Sequence, residues 1–508
     1  MPKLEKIFLF FIFLAFFFLL NWNSFLAPFE RDEGEYAYVA WLMSEGKIPY
    51  RDVFSQKPPM IFHTYYISQL INKDAVWPPR ILATIFSFFS IVLVGLMAKK
   101  SWGERGFWIA LFLSLPMFMF PVLTPFAANT EKFMLLPLLL LIYLYLCSSK
   151  IKFLLLFLTG IFSSVAFFYK PICLPILALI FVLWFLRLKK EKKIFNFFYL
   201  FLGFFISSFF ILLPFLITKT LKFFWENVFV FNFYYLKTLN NQLVNFYYLK
   251  KFLVYWWITI PFFILFFYQP VKLFWFYLLL FFLSLITVFS SPMGHYYLQI
   301  VPFFALIITG GVIGFINFFR KEWQLEVMIL TVFILIAFMI WPFRIQFYLN
   351  PQQLATWVYG RVNPFFEAEI VAQKVKEMTT ANDKIFVAGS EQEIYFYTKR
   401  KNASRLILTY PLNLNSDLAI KYQKETVDQL KKNKPKVIVL SQASHSGVWN
   451  EGSPKIFIND LNSILKKEYQ LVGGYVWEGD EGSWQSPIRK EAIENSSFLV
   501  FKKYEKTQ

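Results

Sequence analysis

Ile7-Phe-Leu-Phe-Phe-Ile-Phe-Leu-Ala-Phe-Phe-Phe-Leu-Leu20 is an unbroken apolar run, and Phe29-Glu-Arg-Asp-Glu-Gly-Glu-Tyr-Ala-Tyr38 follows it closely. The first stretch reads as a helix in lipid, the second as an acidic segment at its surface. The rest of the chain repeats the apolar texture. Of 508 residues, 57% are hydrophobic and 22% aromatic, 68 of them Phe, while only 16% are charged. Soluble domains carry about 25% charge, so an ordinary globular enzyme is excluded, and so is disorder. Cys147 and Cys173 both sit inside apolar runs, which leaves no disulfide framework and no metal knuckle. The chain reads as a polytopic membrane protein.

Eleven apolar stretches approach the ~17–25 residues that cross a bilayer core as helix. They are residues 7–22, 81–98, 107–123, 133–147, 153–169, 171–186, 194–218, 252–268, 273–290, 296–319 and 327–343. Lys3 and Lys6 before the first run resemble a secretory signal, but Ser24-Phe-Leu-Ala27 is a poor cleavage site, so a retained signal-anchor is expected. With the N-terminus inside, the inner segments hold 15 Lys/Arg in 37 residues and the outer ones 13 in 106. This contrast orients the chain with its C-terminal part outside the cytoplasm. It also explains the net charge of +19, since +10 of it belongs to inner loops. A nucleic-acid partner is therefore not expected.

After Phe343 the long apolar runs end, and residues 344–508 read as a small soluble α/β domain. Helical spacing over Glu367–Met378, Asp417–Lys432 and Ile456–Lys467 alternates with strand patterns at Lys384–Ala388, Lys436–Leu440, Leu471–Trp477 and Phe498–Lys502. No G-x-G-x-x-G follows a strand, so dinucleotide binding is unsupported.

Candidate chemistry gathers on the outer side. Outer loop 23–80 carries Glu30, Asp32, Glu33 and Glu35, then an amphipathic helix, Tyr36–Met43, expected to hold the loop on the membrane, and then Lys57 in Lys57-Pro-Pro59. Glu131, Lys170 and His295 lie at other outer helix ends. Ionisable groups at membrane depth are functional by default. The plainer alternatives are a solvated acidic loop, a snorkelling Lys170 and an interfacial His295. Cations that hold a lipid-borne phosphate, beside a carboxylate that takes a hydroxyl proton, suit glycosyl transfer from a polyprenyl-phosphate sugar. Segment 219–251, aromatic and mildly basic, is either an interfacial helix beside such a lipid or a simple amphipathic loop.

Arg31-Asp-Glu-Gly-Glu-Tyr-Ala-Tyr38, Gly46-x-x-Pro-Tyr50 and Lys57-Pro-Pro59 resemble the first outer loop of glycosyltransferase family 39-like membrane enzymes. These include the protein O-mannosyltransferases and lipid A aminoarabinose transferases, which share the C-type glycosyltransferase fold. The resemblance extends through Asn129-Thr-Glu131, Lys170-Pro171 and His295-Tyr-Tyr297, and on to Asp383–Tyr395 and Lys434–Val439. It implies that Asp32 is the general base of an inverting displacement and that Glu33, second of the acidic pair, orients the loop or acceptor. It assigns Lys57 to the donor phosphate, with Lys170 and His295 as further phosphate-side candidates. Glu131 stands where relatives carry a second acidic residue, usually Asp. Gln56 replaces the Glu found before Lys-Pro-Pro in the aminoarabinose transferases, which weakens any transfer of their sugar specificity.

The expectation is a polytopic all-α membrane domain, 1–343, of the C-type glycosyltransferase fold, followed by an extracytoplasmic α/β domain, 344–508. It would move a sugar from a polyprenyl-phosphate donor to a glycan, lipid or protein hydroxyl at the outer face of a prokaryotic cytoplasmic membrane. No cofactor is expected; relatives in this branch generally need no divalent metal, and the residues themselves leave one open. The alternative is a transporter or flippase of lipid-linked saccharides. Such proteins place polar groups near the midplane and often show internal repeats, whereas here no repeat is visible and the polar groups share one face.

Overall fold

The computed structural model describes residues 3–121, 126–148, 153–188, 193–240, 246–268, 271–291, 293–444, 446–447, 451–479 and 481–504. Parts of the expected helix connections, among them 149–152, 189–192 and 241–245 of segment 219–251, lie outside this set.

The first two thirds of the chain is helical. In order come α1 (Lys3–Asn21), α2 (Arg31–Ser44), α3 (Met60–Gln69), α4 (Trp77–Phe118), α5 (Thr130–Cys147), α6 (Phe153–Tyr169), α7 (Leu174–Arg187) and α8 (Lys193–Ile217). Among the described residues, five helices are long and apolar enough to cross a membrane. They become six when Tyr247–Tyr255 and Trp257–Phe266, bent by 61°, are taken as one broken span. Four shorter apolar helices accompany them: Phe153–Tyr169, Pro171–Arg187, Phe274–Val288 and Val301–Ile316.

The 42-residue α4 covers two of the expected stretches and breaks at Gly103, where φ is 66° and ψ −157°. A residue without Cβ takes that conformation readily, and the charged Lys99, Lys100, Glu104 and Arg105 surround it. Small residues also let α6 and α8 cross tightly. A Cβ on Gly160 or Gly203 would run into the backbone of the opposite helix, and Ser164 and Ser208 share a hydrogen bond of 3.0 Å one turn further on. The outward face of α8 exposes Phe195, Phe198, Phe205, Phe209 and Phe210, as a lipid-facing helix does.

The C-terminal part forms a six-stranded mixed sheet. Its strands are β1 (Lys384–Ala388), β2 (Lys401–Asn402), β3 (Val437–Ser441), β4 (Tyr469–Glu478), β5 (Glu481–Gln485) and β6 (Ser496–Lys503), in the order β2-β1-β3-β6-β4-β5. The β2-β1-β3 half is parallel, with Phe386 opposite Ile438 and Val387 opposite Val439. The crossover between β1 and β3 includes the helix Asp417–Asn433, as parallel pairing requires. The β3-β6-β4-β5 half is antiparallel.

The acidic segment folds differently from expectation. Glu30 caps α2, and Asp32, Glu33 and Glu35 occupy its first turns. From Glu33 to Leu42 every residue of α2 is buried, so this is no amphipathic helix resting on a membrane. It is wedged between α3 and the helix Glu393–Thr398 of the sheet domain. Tyr38, one of the polar residues that made it look amphipathic, is used in contacts across that boundary. Tyr38 stacks on Tyr395 with ring centres 5.0 Å apart, and its hydroxyl bonds Asn402 at 2.9 Å.

Candidate active site

Asp32 lies in the first turn of α2, where the helix end favours a negative charge. Lys57 comes from the extended segment before α3. Its backbone N–H donates to Ser55 Oγ at 3.1 Å, and its carbonyl accepts from the Tyr50 hydroxyl at 2.8 Å. So anchored, Lys57 places its ammonium 2.9 Å from Asp32 Oδ2. Both side chains keep some access, 12% for Lys57 and 23% for Asp32. Burial opposes ionisation of Asp32, but Lys57 overrides it and, with His295 and Lys170, draws the carboxyl down to about 2.

A second acid–base pair stands beside the first. Glu131, in the first turn of α5, is ion-paired with Lys170, the lone polar link between α6 and the short 3-10 turn Pro171–Cys173. His295 Nε2 lies 3.8 Å from Glu131 Oε1, and the Lys170 ammonium sits 3.3 Å above the Tyr296 ring. The two pairs form one electrostatic cluster: Lys170 and His295 act on Asp32, and Lys57 acts on Glu131. Residues 32, 57, 131, 170 and 295, drawn from four separate connections, are thus brought together.

Glu33 is placed elsewhere. It is fully buried and forms a two-point pair with Arg80, at 2.6 Å and 3.0 Å. It also accepts from the Ala128 N–H at 2.8 Å. Arg80 in turn donates to the carbonyls of Ser24, Ala27 and Pro28 at 2.6–2.9 Å. This unit ties α2, the start of α4 and the approach to α5 together. In the sequence Arg80 is one of the outer cations, marked only by the Pro78-Pro79-Arg80 start of an apolar helix.

The sheet domain packs against the segments that carry the site. Arg31 Nε donates to the Ser390 carbonyl at 2.8 Å, and its guanidinium pairs with buried Glu391 at 3.2 Å. The Phe29 N–H donates to the Tyr397 hydroxyl at 2.8 Å, and the Phe54 N–H to the Arg405 carbonyl at 2.8 Å. At Gly34 the contact is direct: a Cβ there would lie 2.5 Å from the Glu393 nitrogen. The glycine of the Asp-Glu-Gly-Glu motif is thus the point where two helix backbones meet.

No family model matches the chain, and no curated protein matches it in sequence. Its likeness is to solved structures. ArnT from Cupriavidus metallidurans in the apo state superposes with a TM-score of 0.59 at 11% identity, over 98% of this chain and 97% of that one. The same protein bound to undecaprenyl phosphate gives 0.58 at 12% identity, over 98% of each chain. The arabinofuranosyltransferase AftD from Mycobacteria gives 0.48 at 9% identity, over 98% of this chain and 40% of AftD. Over nearly its whole length, the chain therefore has the fold of ArnT.

Proposed function

We propose that this chain is an inverting glycosyltransferase that moves a sugar from a polyprenyl-phosphate donor to a hydroxyl acceptor. The observation that carries the reading is the convergence of two carboxylates and two lysines in one partly open cluster, Asp32–Lys57 and Glu131–Lys170. Lys57 and Lys170 hold the donor phosphate, assisted by His295. Asp32 takes the proton of the acceptor hydroxyl as its oxygen attacks the anomeric carbon. The bond from that carbon to the phosphate oxygen breaks, and polyprenyl phosphate leaves with its charge stabilised by the lysines. Glu131 positions Lys170 and flanks the acceptor side. Glu33 acts through Arg80 as a positioning residue. ArnT, whose fold this chain shares, has been solved with undecaprenyl phosphate bound, which supports a lipid-linked donor.

In the membrane we propose eleven crossings. Gly103 divides α4 into two, the bent pair Tyr247–Tyr255 and Trp257–Phe266 counts as one span, and the four shorter apolar helices supply the rest. The N-terminus is then cytoplasmic, and the cluster and sheet domain share the outer face of a prokaryotic cytoplasmic membrane, consistent with the density of Lys and Arg in the inner loops. Residues 1–343 form the membrane unit and 344–508 the extracytoplasmic one.

The test is release of undecaprenyl phosphate. Purified protein in liposomes is given undecaprenyl-phosphate sugars and a surface-glycan extract as acceptor. Free undecaprenyl phosphate appearing with labelled glycan supports transfer. Donor that changes leaflet with its sugar intact would instead identify a flippase.

A further inference from the structure

Next to the Asp32–Lys57 pair lies a set of buried polar groups that this pair does not use. Glu35, one turn further along α2, is only 3% exposed, and its Oε1 has no hydrogen-bond partner in the protein. Gln56 Oε1 and the hydroxyls of Tyr36 and Tyr410 are likewise buried and without partners. These groups share one neighbourhood. Lys57 and Asp32 both act electrostatically on Glu35, and Glu35, Lys57 and Asp32 act on the Tyr410 phenol. Tyr235 lies alongside, its ring centre 5.8 Å from that of Tyr410, and Asn232 Nδ2 donates to the Gln56 carbonyl at 3.0 Å.

Buried polar atoms are costly unless something pairs with them. A carboxylate and an amide oxygen accept hydrogen bonds, and a phenol both donates and accepts. That set suits a neutral ligand with several hydroxyls. A second phosphate would meet the carboxylate of Glu35, and a cation would meet Lys57. Position narrows the choice further. In a polyprenyl-phosphate sugar the ring is joined directly to the phosphate, so a phosphate on Lys57 brings the ring against the groups beside Lys57. Burial also pushes the Glu35 carboxyl up to about 7, against the pull of Lys57, so at neutral pH it is available both as donor and as acceptor.

We propose that Glu35, Gln56 and Tyr410 form the subsite that reads the hydroxyls of the donor's sugar, with Tyr410 supplied by the C-terminal domain. The proposal rests on the glycosyl-transfer reading above and names its sugar-recognising residues. The C-terminal domain is then part of the substrate site.

The test uses the full chain in nanodiscs. Dissociation constants are measured for bare undecaprenyl phosphate and for undecaprenyl phosphate carrying glucose, mannose or arabinose. Glu35→Gln and Tyr410→Phe each weaken the tightest sugar-bearing lipid by about tenfold, the scale of one lost hydrogen bond to a buried group, and leave bare undecaprenyl phosphate unchanged. Tyr410→Phe keeps the ring that packs on Phe231 and Tyr235. Equal weakening of both lipids, or of neither, would overturn the subsite. A wild-type chain that binds bare undecaprenyl phosphate but gains nothing from any sugar overturns the subsite alone. One that binds none of these lipids overturns the donor reading and the subsite with it.

Discussion

Lys57 Nζ lies 2.9 Å from Asp32 Oδ2, so the cation proposed to hold phosphate and the carboxylate proposed to take a proton are each other's counter-ions. A phosphate that draws Lys57 away frees Asp32. On the proposed function, donor binding and activation of the base would therefore be one event, since a carboxyl held at about 2 by Lys57 would gain basicity when the donor phosphate takes that lysine.

Asp32→Asn should lower the transfer rate by about 10²- to 10⁴-fold, the usual contribution of a general base. Donor affinity should hold or improve, because Lys57 loses a competitor. Separate measurement of single-turnover rate and donor dissociation constant checks this. A variant with full turnover would remove Asp32 from the chemistry.

Glu131 and Lys170 should behave as a coupled pair. Each single change, Glu131→Gln or Lys170→Met, should weaken donor binding or turnover, and the double variant should lose much less than the two effects combined. Additive losses in this double-mutant cycle would show that the ion pair does not act as a unit.

Glu33 differs from Asp32 in what its loss does. Glu33→Gln leaves the Arg80 charge buried beside a neutral group, and breaking such a pair costs about 3–5 kcal/mol. Thermal unfolding in detergent should show a large drop for Glu33→Gln and a small one for Asp32→Asn. Similar drops for both would contradict the separation of the two acids.

Gly34→Ala adds one methyl group where the Glu393 nitrogen is 2.5 Å away and its Cα 2.7 Å. Backbone atoms cannot swing aside as a flexible side chain does, so the helix Glu393–Thr398 must move off α2. Overpacking of this kind costs about 1–3 kcal/mol, and activity should fall with it although no charged group has changed. Faster proteolysis within residues 389–409, measured on folded protein, would report the displaced contact.

Acidity should act in two opposed ways. The Asp32 ion pair stabilises the fold above the ordinary carboxylate range, and that contribution is lost as pH falls toward 2. Glu30 works the other way: burial and the charges of Asp32 and Glu33 push it from 4.5 up to about 8. Between those values the folded chain keeps a proton that the unfolded chain releases, so stability falls as pH rises through the window and levels off above it. Glu35, raised to about 7, contributes in the same direction, so Glu30→Gln should reduce that slope in denaturation curves taken across pH 5 to 8.

Much of this was legible beforehand. Strands expected at Lys384–Ala388 and Lys436–Leu440 occur as β1 and β3, because short β-branched runs between turn residues have few other fates. The candidates Asp32, Lys57, Glu131, Lys170 and His295 were visible because a charge beside long apolar runs stands out. What escaped the sequence was partnership across distance. Nothing local to Glu33 distinguishes it from Asp32, since the difference is Arg80, 47 positions away. The wedging of α2 was equally hidden: Arg31 and Tyr38 suggested an outer solvated face and instead meet the sheet domain. The break at Gly103, by contrast, falls within residues 99–106, the charged stretch that already separates two expected spans.

The wedge at Gly34 also bears on how this chain can be divided. Sequence texture invites a cut after Phe343, yet that cut would uncover Phe29, Tyr38 and Phe54, all fully buried. It would also leave Arg31 without Glu391 and Ser390. The membrane half made alone should therefore aggregate or lose its acidic helix to disorder. Swapping C-terminal domains between relatives would succeed only where the surface facing α2 travels with them, so the two halves are expected to change in step over evolution.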